Sequence, residues 1–176
     1  MKLDTVSEVG HRNLKLSQNK EALDGFNFNR NYPFNIVVRI SPRWELDRTN
    51  LKALVIVPRI NADIDLLNIQ KLPYFRLIVA IGTISDMTFD ETRNEYEPLV
   101  PDLQGSNVAT TGEWHKTSTI VPEHILTAQM DASLAEELTD EVSVLLSMAI
   151  EFGNVGATIE PVEVKYAGCG KVLAVR

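Results

Sequence analysis

The run VSVLLSMAIEF, residues 142–152, limits the fold more than any other stretch of this chain. Every residue in it is apolar or small except Glu151. It is shorter than the ~18–20 residues that a membrane-spanning helix needs. As a soluble helix it would bury nearly every side of about three turns, and no other part of the chain is helical enough to surround it. As a strand it divides cleanly. Val142, Val144, Leu146, Met148, Ile150 and Phe152 face one way; Ser143, Leu145, Ser147, Ala149 and Glu151 face the other. Large residues opposite small or polar ones is the period-two pattern of a sheet with one face in a core. The run is therefore expected to be a core strand, with Glu151 leaving on the outer face and GNVG as the turn that ends it.

Strand signals recur from residue 34 onward. NIVVRI (35–40) is β-branched and stops at Ser41-Pro42, and TNLKALVIVP (49–58) stops at its own proline. YFRLIVAIGTI (74–84) is apolar enough for a central strand buried on both sides or nearly so. Residues 85–100 read as a hairpin with its tip at Thr92-Arg93-Asn94, the second strand pushed to an edge by Pro98 and Pro101. DLQGSNVATTG (102–112) reads as a surface loop. EWHKTSTIV (113–121) alternates like a half-exposed strand, and ILTAQMD (125–131) follows it. Two closing strands are expected on either side of a Gly168-Cys169-Gly170 turn. Helix is limited to a short piece within 59–73, where Ile60, Ile64, Leu67 and Leu72 are helically spaced and Asn61 can cap. A turn or two is expected near Ser133, which has Glu136 three residues on.

The expected fold is an all-β, antiparallel two-layer sandwich, Ig-like or jelly-roll-like, with one or two short helices. Residues 1–33 differ in composition and read as a polar, Asn-rich N-terminal arm; residues 34–176 form the sandwich. In GFNFNRNYPF, Phe26, Phe28 and Tyr32 are interleaved with asparagines, an extended pattern suited to laying aromatics on a sheet. Such an arm docks on its own domain or, more sharply, on a neighbouring subunit.

With 176 residues and 44% hydrophobic content, the chain can bury a sizeable core. A formal net charge of -7 gives no general attraction to phosphate backbones, so nucleic acid is not an expected partner. A lone cysteine excludes an internal disulfide. Lys2 is not followed by an apolar stretch, so no signal peptide and no membrane segment are read. The expected location is the cytoplasm or a protein particle.

Searches for chemistry return little. AGCGKV lacks the upstream glycine and the Ser/Thr of a P-loop, and Cys169 has no histidine nearby in sequence to act as its base. His115 and His124 are not at metal-ligand spacing on one element, although neighbouring strands would let them meet, with Glu113 or Glu123 beside them. Asp63 and Asp65 pair two carboxylates, and Asp86, Asp90 and Glu91 form a second acidic cluster. Neither has EF-hand spacing, so no cofactor is expected beyond the idea of a structural calcium. Candidate acid–base carboxylates are Glu95, Glu97, Glu113 and Glu151, without a pattern that selects among them. Trp44, Trp114 and Tyr96 are the aromatic candidates for stacking a glycan.

GFNFNRN, YFRLIVAIG, LLSMAIEFGN and KVLAV together resemble strand and turn motifs of a group of uncharacterised β-rich proteins from Bacteroidetes, over roughly residues 14–176. That resemblance implies a β-sandwich and no activity, and it carries no functional residue. The segment 63–72 and the acidic hairpin 86–96 fall outside it. The function expected is a non-enzymatic structural or interaction module in an assembly, phage-like or cell-surface by analogy. Phe26, Phe28, Trp44, Tyr96 and Trp114 are its interaction candidates, with a glycan- or small-ligand-binding module as the alternative.

Overall fold

A computed structural model describes residues 11–156 and 160–176. The signal-peptide reading at Lys2 and the start of the penultimate strand, at 157–159, lie outside those residues. The described strands are β1 (Arg43–Asp47), β2 (Lys52–Val57), β3 (Ile60–Asn61), β4 (Tyr74–Ser85), β5 (Met87–Asp90), β6 (Glu95–Pro98), β7 (Asn107–Thr111), β8 (His115–Lys116), β9 (Ile120–Val121), β10 (His124–Gln129), β11 (Val142–Val155), β12 (Pro161–Glu163) and β13 (Cys169–Val175). Among the described residues, helix amounts to two single turns, α1 (Phe34–Val37) and α2 (Ala62–Asp65), and three 3-10 stretches. The fold is all-β and sandwich-like, with antiparallel pairing throughout the strands.

β11 and β4 form the spine of the larger sheet, in continuous register from Val142 opposite Ser85 to Gly153 opposite Tyr74. β13 and then β12 line the far edge of β11; β7 and β8 line the far edge of β4. The smaller sheet is β1-β2-β10. Between the layers lie Val144, Leu146, Met148 and Ile150 from β11, Phe75, Leu77, Val79 and Ile81 from β4, and Ala53, Val55 and Val57 from β2. The period-two split of the 142–152 run is thus realised, with all six large residues buried.

Several expectations change. β11 does not turn at GNVG: Gly153, Asn154 and Val155 continue the strand and pair with β12. β4 buries one face rather than both, because its outward residues are only half covered. Residues 35–40 are not a strand. Pro33 starts the single turn α1, and Asn27 Oδ1, from the arm, accepts a hydrogen bond from Phe34 N at 2.8 Å. Residues 102–112 are not wholly loop, since β7 pairs with β4. Residues 113–121 break at a turn into β8 and β9. Asn61 caps α2 as expected, accepting from Asp63 N. The cap near Ser133 is instead Asp131, whose carboxylate accepts from Ser133 N and Oγ. Cys169 is not in a turn; it begins β13.

The described part of the arm lies on the sandwich. Leu14 and Met87 exchange two backbone hydrogen bonds, at 2.9 Å each. Further along, Gly25 N donates to Val172 O, Val172 N to Phe26 O and Phe28 N to Gly170 O. Residues 25–28 therefore extend the sheet beyond β13. Gly25 has a φ of 76°, a left-handed conformation that glycine adopts without strain.

Candidate functional site

Backbone pairing along β13 leaves the arm's aromatic side chains outside the core. Phe26, Phe28 and Tyr32 are 47%, 62% and 42% exposed, and Tyr166, in the turn before β13, is 92% exposed. Phe26 and Phe28 meet edge to face, with ring centroids 5.6 Å apart. Phe28, Tyr32 and Tyr166 border an open groove of about 680 Å³, floored by Ala149, Gly168 and Gly170. Small residues at the floor let the arm come close: a Cβ on Gly170 would sit 3.2 Å from the Phe28 ring. Cys169 borders the same groove, but burial pushes its thiol up to about 11, so at neutral pH it is a protonated, weak nucleophile.

The tryptophans are already partnered. Arg76 Cζ lies 4.4 Å from the Trp114 ring centre, and Arg76 Nε donates to Glu151 Oε2 at 2.7 Å. The Trp114 ring also rests on Gly153, where a Cβ would approach it to 2.8 Å. Trp44, on β1 and packed against the core, has Arg176 Cζ 5.6 Å from its ring centre. Both rings are thereby partly covered by cation–π contact. Tyr96 packs edge-on against Phe89 across the β5-β6 hairpin, at 5.2 Å.

The histidines do meet. β8 belongs to the large sheet and β10 to the small one, and they bring the His115 and His124 ring centroids to 5.9 Å. Phe75 lies 5.7 Å from His115 on the inner side. Burial holds the His115 imidazole below its ordinary range, and the neighbouring His124 adds to this; Glu113 pulls the other way. Both histidines and Glu113 line a pocket of about 300 Å³ walled by Val121, Pro122 and Leu126.

The acidic clusters act on the backbone. Asp65 Oδ2 accepts from Asn61 N at 2.7 Å, and Asp63 sits exposed on the same turn. Asp90 Oδ1 accepts from Thr92 N at 2.7 Å at the hairpin tip. Among the described residues, no group of three or more His, Cys, Asp or Glu side chains is placed to hold a metal ion. No described helix is long and apolar enough to cross a membrane. Residue-level reading missed Asp86 as a structural group. It is buried, and its two oxygens accept from Ser17 N and Ser17 Oγ at 2.9 and 2.6 Å, fastening the arm.

No protein-family model, curated protein or solved structure matches this chain.

Proposed function

We propose that this chain is a non-enzymatic interaction module that works in a protein assembly, with the arm and Tyr166 as its contact surface and a second copy of the chain as the first partner. The observation that carries this reading is the exposure of Phe28, Tyr32 and Tyr166 around one groove, with exposed Phe26 edge-on to Phe28. Exposed aromatics gathered in one place mark association surfaces, because a ring buries much area with few rotamers lost. Backbone pairing of the arm with β13 is the strand-addition mode by which sheet edges recruit peptide segments. Glycan stacking on Trp114 or Trp44 is less favoured, since an arginine already lies against each ring.

Light scattering coupled to size exclusion tests this on the full chain. The wild type is expected to exceed the monomer mass of 19.7 kDa increasingly with concentration. A Phe28→Ser/Tyr166→Ser variant is expected to remain a monomer. A wild type that stays monomeric up to millimolar concentration contradicts the self-association.

A further inference from the structure

The histidine pair carries an inference separate from the contact surface. His115 stands on β8, paired to β4 of the large sheet; His124 stands on β10, paired to β2 of the small sheet. The two rings, one from each sheet, meet at a tilt of 49°. A metal ~2.0–2.1 Å from one nitrogen of each imidazole places the ring centres about 5–6.5 Å apart, by adding ring radius to bond length. The observed separation, 5.9 Å, falls in that range.

The chemistry of the rings agrees. His124 Nδ1 lies 3.0 Å from the carbonyl oxygen of Pro122, a contact in which Nδ1 donates, so Nε2 is the nitrogen left to ligate. A backbone carbonyl holding one ring nitrogen is the usual support behind a metal-ligating histidine. His115 is half-buried, with the Phe75 ring 5.7 Å from its own. Glu113 lines the same pocket and supplies a negative charge against a cation. The walls, Val121, Pro122 and Leu126, are apolar, so the ring nitrogens and Glu113 are the pocket's polar side-chain groups beside Thr111.

We infer that His115 and His124 form a two-histidine site for one divalent transition-metal ion of the zinc or copper(II) class, which ties the two sheets together. Imidazole donors select these ions over calcium or magnesium. Two protein ligands leave the remaining positions to water, so the site is exchangeable. Binding also stabilises the fold, because the unfolded chain does not hold the two histidines together.

Isothermal titration of the untagged full chain with Zn(II) at pH 7.5 tests the site, with thermal unfolding followed in parallel. One Zn(II) per chain and a raised Tm are expected. The affinity should fall at least tenfold in His115→Gln and in His124→Gln, and stay unchanged in His11→Gln. Imidazole nitrogen NMR of the wild type, which needs no variant to fold, should show Zn(II) shifting the ring resonances of His115 and His124 but not His11. Absence of Zn(II) binding overturns the inference, as do shifts confined to His11 or an affinity indifferent to both substitutions.

Discussion

Glu151 shows how far a single residue can depart from its sequence reading. The alternation of β11 places it on the outer face, where an amide replacement would be silent. In the folded chain it accepts from Arg76, whose guanidinium lies over Trp114, and both charged side chains are about three-quarters covered. Glu151→Gln keeps an acceptor but removes the charge that orients Arg76. It is expected to cost about 1 kcal/mol in urea unfolding, between an exposed ion pair and a buried charged hydrogen bond. A loss indistinguishable from zero would mean that the pair is solvated. His115 gives a second residue-scale expectation. Its folded pKa is depressed, so between that value and the unfolded value of ~6.5 the unfolded chain binds more protons. Stability therefore falls as pH drops from 7 toward 5. Tm measured in EDTA should decline over this range in the wild type and less steeply in His115→Gln. Asp47 and Asp131, held low by hydrogen bonds from Asn50 and Ser133, lose their contribution only at lower pH, near and below the ordinary carboxylate range. Equal slopes in the two proteins would remove His115 as the cause.

At the scale of elements, strands with a buried face were legible and strands held only by their backbone were not. β11 declares itself by alternation, because burial selects every second side chain, and β2 and β4 by their apolar, β-branched runs. β7 does not. Its residues NVATT are mostly exposed, so no apolar period marks it, and it exists because its backbone completes the edge of β4. α1 was misread for a related reason: residues 35–40 are β-branched, but Pro33 and the distant Asn27 side chain set a helical turn there. Of the candidate sites, the approach of His115 and His124 was readable as a conditional, depending on strand neighbours that only the fold supplies. The fastening of the arm was not readable, since Ser17 and Asp86 are 69 residues apart. Ser17→Ala leaves a buried carboxylate short of a donor, which is expected to cost ~1–3 kcal/mol in urea unfolding. The same variant should speed proteolysis between residues 11 and 24. Wild-type stability and cleavage in Ser17→Ala would mean that the arm is held elsewhere.

At the scale of the whole molecule, two sheets close over one core and the arm extends the larger of them. This arrangement spends the arm's backbone on β13 and leaves its rings on the surface. An edge strand with free pairing groups invites unwanted association, and covering it is a usual remedy. Here the covering segment carries its own aromatic face, so one contact is closed and another is offered. In such a molecule residues 25–28 are paired and residues 26–32 are engaged by a second copy. Hydrogen exchange followed by mass spectrometry, on dilute and concentrated full chain, reads both. The amides of Gly25 and Phe28 donate to Val172 and Gly170 and should be protected at every concentration. Protection across 26–32 and around Tyr166 should rise further as the protein is concentrated. Exchange of 25–32 at the rate of an unstructured peptide, unchanged by concentration, would contradict both the docked arm and its role as a contact surface.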